Sequence, residues 1–251
     1  MDSILEAMYP FCREARNKGN ASENGKAPTP RVSFILALLE KFGIKKNIDA
    51  FSYTGRNNFY NIILPGTSKY IITAHHDIMN PDSDNANDNS ASVINAIYLK
   101  SLMPEARVVL TDGEEIGLIG ATRLAEQINQ GVYGDIEGVI NLELSGLGGE
   151  NFIIGDNPGK INDLIIEMFN PTVIKTPVSD TTAFRMAGID STVLNPLPLL
   201  TEGVSFISND RGFLDNRSWS RCHTDEDSLD HISLDDMSSF VNNILVPILR
   251  S

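Results

Sequence analysis

Three short apolar runs restrict what this chain can fold into. "YIITA" (70–74), "RVVLT" (107–111) and "GVINL" (138–142) are too short for core helices and lack the strict in–out alternation of a half-solvated strand. Runs of this kind suit strands covered on both faces, as in a parallel sheet. Helical spacing lies between and after them, in "ASVINAIYLKSL", in Leu118, Ile119, Leu124 and Ile128, in "INDLIIEMF", and in Met237, Val241, Ile244 and Leu245. "NFIIG" and "STVLNPL" add two more strand-like runs. Strand alternating with helix from about residue 69 onward predicts an α/β fold, a three-layer α/β/α sandwich with a mixed, mostly parallel central sheet.

The flanking segments fit that frame. Ile4, Leu5, Met8 and Tyr9 share one helical side, "NKGNASENGKAPTP" reads as a loop, and Val32, Ile35, Leu36, Leu39 and Phe42 mark a helix ending near Gly43. Hairpin-like runs near residues 48–64 predict an antiparallel edge. Residues 196–230 read as irregular, and Ser233 with Asp236 forms a candidate capping box for the last helix. With no repeat, low-complexity tract or linker, residues 1–251 are expected to form a single domain.

Charge removes several classes of function. The chain carries 33 acidic and 20 basic residues, a net charge of −13, which argues against nucleic-acid binding and against adhesion to anionic membrane. No apolar run approaches the roughly 20 residues of a membrane span. Cys12 and Cys222 are too few for a disulfide framework, and the opening residues do not read as a signal peptide. A cytoplasmic setting is expected, and the sequons at Asn20 and Asn216 read as chance matches.

In open α/β sheets, ligands bind beyond the carboxyl ends of the strands. His75, His76 and Asp77 follow the first apolar run, Asp112, Glu114 and Glu115 the second, and Glu143 ends the third. Asp88 precedes the next helix, and His223 sits in "RCHTDEDSLD". Taken singly each has an ordinary explanation. A lone histidine is more often structural than a ligand, and adjacent acids often open a helix. Together, two imidazoles and three carboxylates could hold two divalent ions that share one oxygen donor. Such a donor set suits zinc, with cobalt or manganese as substitutes. Two such ions would supply the positive charge that the adjacent Glu114 and Glu115 otherwise lack.

Seven segments in chain order, "YNIILPG", "YIITAHHD", "NDNSAS", "TDGEEIGLIGA", "NLELSGLGG", "SDTTAF" and "CHTDEDSLD", resemble the co-catalytic zinc exopeptidases typified by bacterial leucyl aminopeptidases and glutamate carboxypeptidase II. The likeness spans about residues 58–245 and implies a zinc-exopeptidase, phosphorylase/hydrolase-like fold. It also implies that His75 and Glu143 bind one zinc, that Glu115 and His223 bind the other, and that Asp88 bridges both. Glu114 is then the general base acting on a water between the ions, and Asp77 orients His75. A cis peptide bond after Asp88 is part of the same resemblance.

Two departures stand out. Glu143 replaces the commoner Asp, so its strand must sit back or its ligation must change. Thr181 replaces a frequent His that is not a ligand, which points to an altered substrate pocket. His76 is expected to be structural or to line the cleft, Asp180 is a candidate for recognising a free α-amine, and Phe206, Phe213 and Trp219 could build the specificity pocket. The resemblance implies a peptide substrate and, most directly, an aminopeptidase. Two rivals remain: a glutaminyl cyclase, an acyltransferase sharing the fold and a similar "DGEE" segment, and a non-catalytic relative used as a binding module. The oligomeric state, the bond cut and the native metal are left open by the sequence.

Overall fold

The protein is represented by a computed structural model that describes residues 3–14, 29–53, 56–197, 206–209, 212–215 and 219–251. The N-terminal helices are a 3-10 turn at Ile4–Ala7 continuing into α1 (Met8–Glu14), and α2 (Pro30–Lys41). Thr29 caps α2, its Oγ1 accepting the Val32 N–H at 3.2 Å, and Pro30 supplies the fixed φ of the first helical position. Of the stretch read as a loop, residues 17–28 lie outside the described residues, as do the Asn20 and Asn216 sequons, whereas Thr29 and Pro30 belong to the start of α2.

Three strands follow, β1 (Asn47–Tyr53), β2 (Arg56–Leu64) and β3 (Tyr70–His75). A π-type turn at Ala86–Ser90 leads into α3 (Ala91–Leu102), then come β4 (Arg107–Thr111), α4 (Ile119–Asn129) and β5 (Gly138–Leu142). β6 (Phe152–Gly155), α5 (Lys160–Phe169), β7 (Thr172–Ile174), α6 (Asp180–Met186) and β8 (Ser191–Pro196) complete the large sheet. β9 (Phe206–Asn209) and β10 (Gly212–Asp215) pair with each other, and α7 (Leu234–Phe240) runs through a π turn into α8 (Val246–Arg250).

The eight-stranded sheet has the order β1-β2-β4-β3-β5-β8-β6-β7. Its centre, β4-β3-β5-β8, is wholly parallel, and the β1–β2 hairpin forms the expected antiparallel edge. Side chains of a strand alternate between faces, so each central strand feeds two cores. Ile72, Val108, Leu110, Ile140 and Leu142 pack against the N-terminal helices, α3, α5 and the α7–α8 helix. Ile71, Val109 and Val139 pack against Ala121, Leu124 and Ala125 of α4 and Ala183 and Phe184 of α6. These are the three layers that the apolar runs predict.

The structure corrects two local expectations. The stretch read as irregular contains the β9–β10 hairpin, and β7 and α6 lie in segments with no assigned element. The capping box at Ser233 is one-sided: Ser233 Oγ accepts the Asp236 N–H, but the Asp236 carboxylate accepts the Gly148 N–H at 3.0 Å. The helix expected over "ASVINAIYLKSL" is α3, buried along most of its length between the sheet and the terminal helices.

Candidate metal centre

Parallel register brings the strand tips together. Thr73 of β3 pairs with Asn141 of β5, so His75 and Glu143, each two residues further on, emerge side by side from the same sheet edge. His75 of β3 also pairs with Thr111 of β4, after which the chain turns through Gly113 at a positive φ and delivers Glu114 and Glu115. Gly120 lets α4 start directly against this edge. A Cβ there would sit 2.4 Å from Asn61 Oδ1 and 2.5 Å from the Asp112 backbone.

Asp88 lies between the two histidines. Its Oδ1 is 3.2 Å from His75 Nε2 and its Oδ2 is 3.2 Å from His223 Nε2. His223 Nε2 also lies 2.9 Å from Glu115 Oε2, and His75 Nε2 lies 3.7 Å from Glu143 Oε2. On its other side His75 Nδ1 is 3.3 Å from Asp77 Oδ1. The residues named from the sequence as ligands therefore converge, in the pairs His75–Glu143 and Glu115–His223 with Asp88 in the middle. The Asp88–Asn89 peptide bond is cis.

Backbone and amide contacts fix these groups. Asp77 accepts the N–H groups of Glu114 and Glu115, each at 3.1 Å. Asp227 accepts those of Asn87 (2.7 Å) and Asp88 (3.0 Å). Asn89 donates to the Leu142 carbonyl and accepts the Leu144 N–H, while Asn87 Oδ1 accepts the Gly146 N–H, so the Asp88 turn is tied to both sides of Glu143. Asn141 Nδ2, itself set by the Thr73 hydroxyl, donates to Glu143 Oε1 at 2.9 Å. The longer Glu side chain is thus held by one oxygen, and the other is turned toward His75.

Asp227 and Asn141 received no role in the sequence reading. Asp227 lies within the quoted "CHTDEDSLD", but nothing local marks it as the acceptor for a turn 139 residues away. His76 is structural: its Nε2 is 2.8 Å from the Tyr60 carbonyl, its N–H donates to Thr111, and burial pulls its pKa down to about 4. Asp112 is structural too, accepting the Tyr60 N–H at 2.9 Å. Asp180 is fully buried and accepts from Thr111 Oγ1 through Oδ2, while its Oδ1 has no hydrogen-bond partner.

The electrostatics point to cations. Burial pushes the Glu114 carboxyl up to about 10, with Glu143, Asp180 and Asp88 adding repulsion that His75 only partly relieves. Burial likewise raises Glu115, and it lifts Asp180 to about 7. Burial pulls the His75 imidazole down, but Glu143, Asp77 and Asp88 outweigh it and hold its pKa well above the ordinary value. The bonds to Asp88 and Glu115 lift His223 to about 10. Glu115 Oε1 is buried without a hydrogen-bond partner, and donor atoms of His75, Asp88 and Glu115 all lie within 4.8 Å of one another. An orphaned carboxylate oxygen, surplus buried negative charge and a mixed N/O donor set fit divalent metal.

The centre opens into a cleft of about 930 Å³, a usual size for a small-ligand site. Asp156, Lys175, Thr181, Arg185 and Trp219 line it beyond the acids. The side chains of Phe206 and Phe213 lie outside the described residues.

The family model for peptidase family M28 matches residues 60–247. No curated protein matches the sequence. Among solved structures, the LapA aminopeptidase of Legionella pneumophila superposes with a TM-score of 0.69 at 12% identity, covering 99% of this chain and 69% of that one. BSAP, a zinc aminopeptidase from Bacillus subtilis, gives 0.58 at 21% identity, covering 80% of this chain and 51% of its own, so the match spans about half of that enzyme. The glutaminyl cyclase of Porphyromonas gingivalis gives 0.64 at 16% identity, covering 98% and 97%. At these identities the superpositions speak to the fold.

Proposed function

The chain belongs to peptidase family M28, a family of co-catalytic zinc exopeptidases, and on that premise we propose that it is an aminopeptidase releasing N-terminal residues from peptides, with two zinc ions per chain. The observation that carries this reading is the Asp88 carboxylate, which turns one oxygen to His75 and the other to His223 at 3.2 Å each. A carboxylate shared in this way, with a further acid on either flank, supports a two-ion site. His75 and Glu143 would hold one ion, Glu115 and His223 the other, and Asp88 both. Cobalt or manganese could replace zinc in this donor set.

Metal held by these residues would supply Lewis acidity toward the scissile carbonyl and the attacking water. The chain's own residues do the rest. Glu114 borders the cleft beside the ligands and is the one acid of the "DGEE" pair not placed against a histidine. Cations held by the neighbouring ligands would keep this carboxyl ionised, so that it could take a proton from water and return it to the leaving amine. Asp77 orients His75 and holds the Glu114–Glu115 turn. Asp180, expected from the sequence to recognise the substrate amine, is instead fully buried against Thr111 and does not line the cleft. Thr181, which lines the cleft, marks the altered pocket.

The near-complete mutual coverage with the Porphyromonas gingivalis enzyme supports a second reading, a glutaminyl cyclase. One experiment tests both. Aminoacyl amides and a glutaminyl peptide are assayed with and without chelator, and metal content is measured on the same sample. Free amino acid, lost on chelation, supports the aminopeptidase; pyroglutamate supports the cyclase; no turnover with zinc or cobalt supports a non-catalytic binding protein.

Among the described residues no helix is long and apolar enough to cross a membrane, and Cys12 and Cys222 are not joined by a disulfide. Together with the chain's acidity, this supports a cytoplasmic enzyme that does not engage nucleic acid or membrane.

A further inference from the structure

Arg31 sits where a cation is least expected. It occupies the first turn of α2, whose N-terminal dipole disfavours positive charge, and only 2% of its surface is exposed. A buried ion costs several kcal/mol unless its surroundings compensate. No carboxylate among the described residues is within ion-pair distance of it. Three things offset the cost. The guanidinium lies 4.0 Å from the centre of the Phe11 ring. Its Nε donates to the His76 carbonyl at 2.6 Å and its Nη2 to Ser90 Oγ at 2.9 Å. The negative field of Asp77, Asp227 and Asp88 also reaches it.

Those two acceptors bracket the metal centre. The His76 carbonyl lies between His75 and Asp77, on the tip of β3. Ser90 lies two residues after Asp88 and passes the connection on, its hydroxyl donating to the Asn85 carbonyl at 2.6 Å. One planar group therefore spans the strand tip that carries the histidine and both ends of the turn that carries the shared aspartate. Arg31 also precedes the family match at residues 60–247. We propose that Arg31 is a positioning residue that locks His75 and Asp88 into the mutual geometry that two metals require. This makes the N-terminal helix pair part of the metal centre's support.

This inference rests on the metallopeptidase reading, so the test must separate the two. Metal-stripped full-length wild type, Arg31→Met and Arg31→Lys are titrated with cobalt, following visible absorption and affinity, and melted with and without metal. Groups that orient metal ligands commonly contribute about 10–100-fold in metal affinity. Arg31→Met should bind cobalt at least about 10-fold more weakly, with a shifted spectrum and a smaller metal-induced rise in Tm. Arg31→Lys, keeping the charge and one hydrogen bond, should recover part of the loss. A merely structural role would lower the metal-free Tm and leave the cobalt affinity and spectrum alone, and that result overturns the proposal. If Arg31→Met does not fold, Ser90→Ala decides: weakened cobalt binding supports the proposal and unchanged binding overturns it. Wild type that binds no cobalt would sink the metallopeptidase reading itself.

Discussion

Asp77 accepts the backbone N–H of Glu115 through Oδ2 at 3.1 Å. Its Oδ1 takes the Glu114 N–H and lies 3.3 Å from His75 Nδ1. One carboxylate therefore sets the histidine at the end of β3 and the acid pair that follows β4. Asp77→Asn keeps the shape but replaces one acceptor oxygen with a donor, which cannot receive a backbone N–H. We expect metal affinity to fall by about 10–100-fold at both positions, because both ligand-bearing segments lose an anchor. Stepwise metal titration of the variant measures this; loss at only one of two steps would show that the turn is held by other contacts.

Glu114→Gln separates metal binding from turnover. The amide cannot take a proton, and Glu114 is not paired with either histidine in the cluster. We expect kcat to fall by about 10²–10⁴-fold, the usual contribution of a general base, with metal content unchanged. Parallel kinetics and elemental analysis check this, and near-normal turnover would remove Glu114 from the role.

His76 makes the protein sensitive to acid. Burial holds its pKa near 4 against an ordinary 6.5. Between those values the unfolded chain binds a proton that the folded chain refuses, so stability is complete above pH 6.5 and is lost as pH falls toward 4. At 1.36 kcal/mol per unit, the loss approaches roughly 3 kcal/mol. Urea unfolding of wild type and His76→Gln at pH 7 and pH 4.5 should show a wild-type decline that the variant lacks. Parallel declines in the two proteins would mean that other groups dominate the acid response.

The strand tips were readable from the sequence because burial on both faces leaves a local signature. "YIITA", "RVVLT" and "GVINL" could be little else than central strands, and parallel strands must end on one side. That placed His75, Glu114, Glu115 and Glu143 at one edge. Short elements left no such signature: β7 has three residues, too few for a period, and the β9–β10 hairpin lies in a polar segment that reads as loop.

Tertiary structure decided how the site is held. Asp227 supports a turn 139 residues away, Arg31 reaches across 45 and 59 residues, and Asn141 fixes which oxygen of Glu143 faces His75. The sequence by itself determined the layers of the fold and the edge that receives His75, Glu114, Glu115 and Glu143, since both follow from periodicity along a few residues, while the roles of Asp88 and His223 came through the family resemblance. Only the folded chain decided the distances among those side chains and the partners that maintain them. Those depend on hydrogen bonds between segments remote in sequence, and local residue order carries no record of such pairings.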